Sequence, residues 1–164
     1  MRGKPQLGEP ALTRSLEDYL RAIYVISKRK KITRVRDISK FLKVKPSSVT
    51  YSLKKLSNLG LINYEKHGYV TLTTKGVELA KKLDKRFKVL EDFLADVLGV
   101  PDKIAEIDAC NLEHYLHQET MDRLREFIEF LRENSAGNKI ISEFKKQYRK
   151  NSEKFYFPGK SSVK

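Results

Sequence analysis

The chain has 164 residues, 40% of them hydrophobic, and a formal net charge of +13. This length is sufficient for one or two small domains with real cores. No segment approaches the roughly 18 consecutive apolar residues of a membrane span, so we expect no membrane partner. The single cysteine excludes an internal disulfide framework, and together with the lack of a signal-peptide pattern it favours a cytoplasmic location.

Charge is distributed unevenly along the chain. Residues 1–74 carry 16 Lys and Arg against 5 Asp and Glu, whereas residues 75–134 carry 10 against 14. Residues 135–164 are basic again, with 8 against 2. A basic N-terminal half followed by a mildly acidic middle is typical of a polyanion-binding module joined to a second domain. We therefore predict two functions on one chain.

The first predicted elements are three helices that follow a flexible leader at residues 1–12. Ser15 and Asp18 resemble a capping box, and the helix that they open runs to about Lys28. Thr33 is predicted to cap a second, short helix over 34–42. A third helix is predicted over 46–59, since Pro46 suits a first helical turn and the glycine at position 60 suits a C-terminal cap. Two short helices across a tight turn form a helix-turn-helix unit.

Two β-prone runs follow, residues 61–64 and 69–72, with Gly68 in the connection between them. They predict a hairpin whose turn uses the conformational freedom of Gly68. A helix-turn-helix followed by a small hairpin is a winged helix. We assign residues 13–74 to this winged-helix DNA-binding domain.

The rest of the chain is predicted to be helical. A long helix runs from Thr73 or Thr74 to Leu98, and Gly99 ends it. Further helices are predicted over 102–116, 120–133 and 139–150, with a break at 135–138. Residues 75–150 form the second domain, and residues 151–164 a basic tail. The expected fold class is mainly α with a small β wing.

In a winged helix, the second helix of the helix-turn-helix unit lies in the major groove. Short hydroxyl side chains can approach base edges closely, and Lys and Arg meet phosphates. Ser47 and Ser48 could equally serve only as caps of the first turn. The predicted contacts on this helix are Ser47, Ser48, Thr50, Tyr51, Ser52 and Lys54. The residues predicted to meet phosphates are Arg34, Arg36, Lys45 and Lys66.

One short segment in the second domain combines three metal-binding residue types. Cys110, Glu113 and His114 are spaced i, i+3 and i+4, which places them on one surface of an α-helix. A thiolate, a carboxylate and an imidazole together suit a divalent transition metal, and a further ligand would come from elsewhere in the fold. The alternative is a buried, apolar cysteine beside a solvated carboxylate and imidazole.

Five motifs follow one another along the chain: SLEDYL at 15–20, KPSSVT at 45–50, GLI at 60–62, LTTKG at 72–76 and CNLEH at 110–114. In this order, they resemble the diphtheria-toxin-repressor family, which includes iron-dependent repressors and manganese transport regulators. The resemblance extends from about Leu12 to Leu131. It implies a winged-helix domain followed by a helical metal-binding and dimerisation domain, without the SH3-type domain of the larger members.

The resemblance also implies a set of metal ligands. Carried over position by position, the primary site is Asp18, Cys110, Glu113 and His114. An acidic residue stands at position 110 in the manganese regulators, and Met stands at position 18 in the iron-dependent members, so this chain is a hybrid.

The second site of the family is expected to be lost. Its histidine falls at Phe87, and a position that is acidic in the manganese regulators falls at Arg21. Glu91 and Glu106 stand where ancillary ligands of the iron type would be, but two carboxylates alone make a poor site. We therefore expect one ion per subunit, and we expect His117 to be a surface histidine.

The function implied is that of a transcriptional regulator activated by Fe(II) or Mn(II), with Zn(II) as a possible ion in vitro. It would repress metal-uptake genes by binding palindromic operator DNA as a homodimer. The dimer is expected to bury the apolar faces of the helices after Pro101. The alternative function is a winged-helix regulator that responds to a small molecule, or to nothing, with a vestigial metal site. We expect no catalysis and no small-molecule substrate, since neither a nucleophile elbow nor an HExxH motif is present.

Overall fold

The computed structural model describes residues 12–30, 32–65 and 68–152. Residues 1–11 of the predicted leader and residues 153–164 of the predicted tail lie outside these ranges. The chain divides into two compact units between Lys85 and Arg86. Among the described residues, no helix is both long and apolar enough to cross a membrane.

The first unit contains three helices, a small sheet and the beginning of a fourth helix. These elements are α1 (Arg14–Arg29), β1 (Thr33–Arg34), α2 (Val35–Leu42), α3 (Pro46–Asn58), β2 (Ile62–Tyr64), β3 (Tyr69–Leu72) and α4 (Thr74–Asp92). The sheet is antiparallel, in the order β1-β3-β2. Ile62 pairs with Leu72 across the hairpin, and Thr33 pairs with Val70 on its other side.

The core of this unit is made by the apolar sides of α1, α2 and α3 and by the sheet. Leu20 and Ile23 of α1 are fully buried, as are Ile38 of α2 and Leu53 of α3. Burial of each such side chain contributes about 1.5–3 kcal/mol. The three-helix arrangement therefore fixes which side of α3 faces inward and which side is left to solvent.

Two predicted helix caps in this unit are wrong. The N-cap of α1 is Thr13 rather than Ser15, because the Leu16 N–H donates to Thr13 Oγ1 at 3.4 Å. Thr33 does not cap α2, since it belongs to β1. Asp37 serves that helix start instead by accepting the Arg34 N–H at 3.2 Å. A hydrogen bond from Lys30 is the main reason that the pKa of Asp37 lies below its ordinary value.

The predicted glycine positions are confirmed. Gly60, which follows α3, has φ +69°, and Gly68 in the hairpin has φ +77°. A third glycine, Gly76, is required by a close approach rather than by its backbone angles. A Cβ at this position would lie 1.9 Å from the carbonyl oxygen of Leu61. The glycine in the LTTKG motif therefore lets the start of α4 pack against the entry to β2.

The second unit is helical in all its described elements. It contains the remainder of α4, a π-helical turn (Phe93–Val97), α5 (Asp102–Leu112), α6 (Gln118–Glu133) and α7 (Ser135–Ser152). Phe87, Leu90, Ala109 and Met121 form its buried apolar cluster. The predicted fold class, mainly α with a small β wing, is confirmed.

Three predicted boundaries in this unit are wrong. The long helix is not α-helical to Leu98, because it becomes π-helical after Asp92. The next helix ends at Leu112 rather than at residue 116. The break between the last two helices is at Asn134 rather than over 135–138, since α6 ends at Glu133 and α7 begins at Ser135. Gly137 lies within α7, where a Cβ would lie 2.3 Å from the Leu131 carbonyl oxygen.

Candidate DNA-binding and metal-binding sites

The α3 helix has one buried side and one polar side. Val49, Leu53 and Leu56 are fully buried, which leaves the opposite side open. Most of the predicted contacts lie on that polar side. Ser47, Ser48, Tyr51 and Lys54 are exposed, and Thr50 is half-buried.

Ser52 is more shielded than the other predicted contacts on α3. Only 7% of it is exposed, because it lies beside Val49 and Leu56, which pack into the core. Its contact with DNA stays a prediction. Thr50 is also constrained, since its hydroxyl donates to the Pro46 carbonyl at 3.1 Å.

Tyr51 is the most prominent side chain on the polar side of α3, with 62% of it exposed. The Lys55 ammonium lies 4.5 Å from the centroid of its ring. Residues i and i+4 are neighbours on a helix, so this cation–π pair follows from the sequence spacing. An aromatic ring and a positive charge are therefore exposed side by side on α3.

An open groove of about 530 Å³ runs between the start of α1 and this side of α3. Its lining comes from both helices and consists largely of hydroxyl-bearing side chains. The lining residues are Thr13, Ser15, Leu16, Tyr19, Ser47, Ser48, Tyr51, Ser52 and Lys55. No local pattern in the sequence indicated this neighbourhood, because it is the core that brings α1 and α3 together. The groove thus offers hydroxyl groups from the start of α1 as well as from α3.

Three of the four basic residues predicted to meet phosphates lie in the described part of this unit. Arg34, Arg36 and Lys45 are exposed. The Arg34 guanidinium lies over the ring of Tyr69 on β3, 5.2 Å from its centroid. Lys66 falls outside the described residues.

The metal-binding residues of the second unit lie at the end of α5. Cys110 is in the last turn of this helix, and Glu113 is its C-cap, whose N–H donates to the Ala109 carbonyl at 3.0 Å. His114 follows in the turn after the helix. The three residues therefore share a helix end rather than the continuous helical surface that we predicted.

These three side chains are close together and shielded from solvent. The His114 Nε2 lies 3.8 Å from Glu113 Oε1, and the two side chains are 7% and 3% exposed, respectively. Cys110 is half-buried, and its sulfur lies within 4.8 Å of a Glu113 carboxylate oxygen. A thiol, a carboxylate and an imidazole in such a place fit a divalent transition metal. The sulfur, oxygen and nitrogen donors thus suit that class of ion.

The remaining predicted metal positions differ in environment. Asp18 is half-buried on α1, in the first unit. Glu91 is half-buried and accepts a hydrogen bond from Lys88, whereas Glu106 is exposed. Phe87 is 6% exposed within the apolar cluster of the second unit, so that position supplies packing rather than a ligand. His117 is exposed at the N-cap of α6.

Comparison with known families gives matches along most of the chain. Residues 11–70 match the family model for the N-terminal DNA-binding domain of iron-dependent repressors. Residues 73–142 match the model for the metal-binding and dimerisation domain of the same repressors. Each unit is thus matched over most of its length.

Individual relatives agree with this assignment. The chain is 35% identical to the HTH-type transcriptional regulator MntR of Bacillus subtilis over 135 residues, which are 82% of this chain and 94% of that protein. It is 42% identical to an uncharacterised HTH-type transcriptional regulator of Methanocaldococcus jannaschii over 119 residues, 72% of this chain and 95% of that one.

Solved structures show the same likeness. The crystal structure of T. acidophilum IdeR superposes with a TM-score of 0.63 at 27% identity, covering 73% of this chain and 55% of that one. A manganese-dependent transcriptional repressor in complex with manganese gives 0.63 at 28% identity, covering 70% and 53%. The chain thus spans a little over half the length of these two structures. The resemblance seen in the motifs is confirmed, and the chain belongs to the iron-dependent-repressor family.

Proposed function

We propose that this protein is a metal-dependent transcriptional repressor that binds operator DNA as a homodimer when its metal site is loaded. The proposal is carried by the shielded group of Cys110, Glu113 and His114. These residues lie in the part of the chain that matches the metal-binding and dimerisation domain of iron-dependent repressors. Regulators of this family are DNA-binding proteins rather than enzymes, and we expect no catalysis here. Acting on operators, the protein would work in the cytoplasm.

We propose Asp18 as a further ligand, on the strength of the family resemblance. It belongs to α1 of the winged-helix unit, whereas the other three residues belong to the helical unit. A divalent ion, when bound, would supply a crosslink among these four side chains. The expected consequence is that metal binding restricts how the DNA-binding unit is presented, which is how a metal signal would reach α3.

The metal is proposed to be Fe(II) or Mn(II), with a bias toward Fe(II). The solved manganese-dependent repressor that this chain resembles binds manganese. Here the thiolate of Cys110 favours softer ions such as Fe(II) and Zn(II), while the carboxylates remain acceptable to Mn(II). One ion per subunit is expected, because Phe87 is committed to packing. Glu91 and Glu106 remain weak candidates for ancillary ligands.

The DNA contacts are proposed to come from the polar side of α3. Ser47, Ser48, Tyr51 and Lys54 would face the major groove, while Arg34, Arg36, Lys45 and Lys66 would meet phosphates. A two-fold dimer would present two such helices to a palindrome with half-sites one or more helical turns apart.

The dimer is proposed to form through apolar side chains of α5 and α6. Ile104 and Ile107 are 50% and 60% exposed on α5, and Phe127 is 48% exposed on α6. These exposed fractions are high for large apolar residues, and a second copy of the chain would cover the three side chains. Ile128 and Leu131, also on α6, would contribute less directly, since both are already buried within the unit.

A retardation assay on promoter fragments tests the proposal. Wild-type protein should shift the fragment with Fe(II) or Mn(II) present and lose the shift in chelator. His114→Ala should lose the metal response, whereas His117→Ala, which removes an exposed imidazole three residues away, should keep it. A shift that is equally strong in metal and in chelator would favour the metal-independent alternative.

A further inference from the structure

Arg86, the first residue of the second unit, makes three hydrogen bonds to the connection between α5 and α6. Its Nη2 donates to the Glu113 carbonyl at 2.6 Å and to the Leu116 carbonyl at 2.7 Å. Its Nη1 donates to Gln118 Oε1 at 2.9 Å. One side chain of α4 thus spans the segment that carries Glu113 and His114.

These bonds matter because the α-helical ladder has ended there. The α5 helix stops at Leu112, and the last carbonyls of a helix need partners from outside the helix. The Arg86 guanidinium supplies these partners, because its N–H donors have a rigid, planar geometry that the more flexible ammonium of a lysine does not offer. The backbone that carries Glu113 and His114 therefore takes part of its shape from α4.

The α4 helix is well anchored at this point. Phe87, the next residue, is buried with Leu90, Ala109 and Met121. Ala109 directly precedes Cys110, so the same cluster holds α4 against the last turns of α5. Consequently the Arg86 backbone is fixed relative to the helix end whose carbonyl it binds.

We propose that Arg86 is a positioning residue for the metal site. Arg86 sets the backbone geometry of Glu113 and His114. That geometry in turn determines the affinity for metal and the shape of the coordination shell. Although α4 supplies no ligand at Phe87, it contributes to metal binding one residue earlier. This inference rests on the proposed function, since it presumes that Cys110, Glu113 and His114 hold an ion.

The test compares Arg86→Met and Arg86→Lys with wild-type protein, with Arg132→Met as the matched control. Arg132 of α6 makes ion pairs with Asp92 at the end of α4 and with Asp96 of the π-helical turn, at 3.1 and 2.7 Å. Cobalt(II) is the probe, because its visible bands and its thiolate charge-transfer band report the coordination geometry. Affinity is measured by competition with a chelator, and folding by thermal melting without metal.

For Arg86→Met we expect a loss of cobalt affinity of about 10-fold or more, which is typical when a partner of metal ligands is removed, together with altered cobalt bands. Arg86→Lys should lie between this variant and wild type. Arg132→Met should keep the wild-type spectrum even if it melts earlier. If Arg86→Met does not fold, Arg86→Lys carries the test with the same readouts.

Wild-type cobalt affinity and spectrum in a folded Arg86 variant would overturn the inference and leave the proposed function standing. An equal loss in Arg132→Met would also overturn it, because Arg86 would then be only a general brace of α4. Absence of cobalt binding by wild-type protein would overturn the proposed function itself, and the inference with it.

Discussion

Phe87→His tests whether the position that carries a ligand in the family's second site has become part of the core. Phe87 is 6% exposed among Leu90, Ala109 and Met121. The substitution removes apolar burial worth about 1.5–3 kcal/mol and buries an imidazole at a further cost of about 1–3 kcal/mol. The two costs add to about 2.5–6 kcal/mol, which corresponds to a fall in Tm of roughly 5–24 °C for a protein of this size.

The pH dependence gives a second signature of this substitution. Burial in an apolar cluster disfavours the charged imidazole and would lower its pKa in the folded state. The unfolded chain would then bind the proton more readily, so the stability of the variant should fall further as the pH drops below about 6.5. Wild-type protein has no histidine at this position and should lack this added loss.

Thermal melting at pH 8 and pH 5.5, with metal analysis of the purified protein, measures both effects. Phe87→Leu is the matched control, since it keeps an apolar side chain and should cost less than about 1.5 kcal/mol. A Phe87→His variant that melts like wild type, or that holds two tight ions per subunit, would refute the reasoning that this position serves packing alone.

Three further predictions follow from single residues. Gly76→Ala should cost at least about 2 kcal/mol by melting, because the Cβ would lie 1.9 Å from the Leu61 carbonyl oxygen; an unchanged Tm would contradict this. Tyr51→Ala should weaken DNA binding by retardation assay while leaving the Tm within about 1 °C, since its ring is largely exposed; equal affinity would remove Tyr51 from the contact surface. Cys110→Glu should shift metal preference toward Mn(II) in anaerobic competition titrations, and unchanged selectivity would contradict the role given to the thiolate.

The sequence was most informative where structure follows from local signals. Pro46 marked the start of α3 and Gly60 its end, because proline suits the first turn of a helix and glycine suits the position after its last turn. The hairpin was also local, with Gly68 taking the positive φ that its turn needs. The motif at 110–114 was visible because its three residues are neighbours along the chain.

The errors occurred where contacts between distant residues decide the structure. Thr33 belongs to a strand only because Val70 lies beside it, 37 residues further along. The α5 helix ends early, at a point where Arg86 binds the carbonyls of Glu113 and Leu116. Propensity and spacing carry little of this information, since each outcome depends on a partner elsewhere in the fold.

We expect one metal ion per subunit to switch on operator binding. Fluorescence anisotropy of a labelled promoter fragment, recorded anaerobically as Fe(II) or Mn(II) is titrated into wild-type protein, measures this switch. Affinity for DNA should rise at least about 10-fold, the rise should saturate at one ion per subunit, and excess chelator should reverse it. The same affinity in metal and in chelator would show that metal does not control DNA binding.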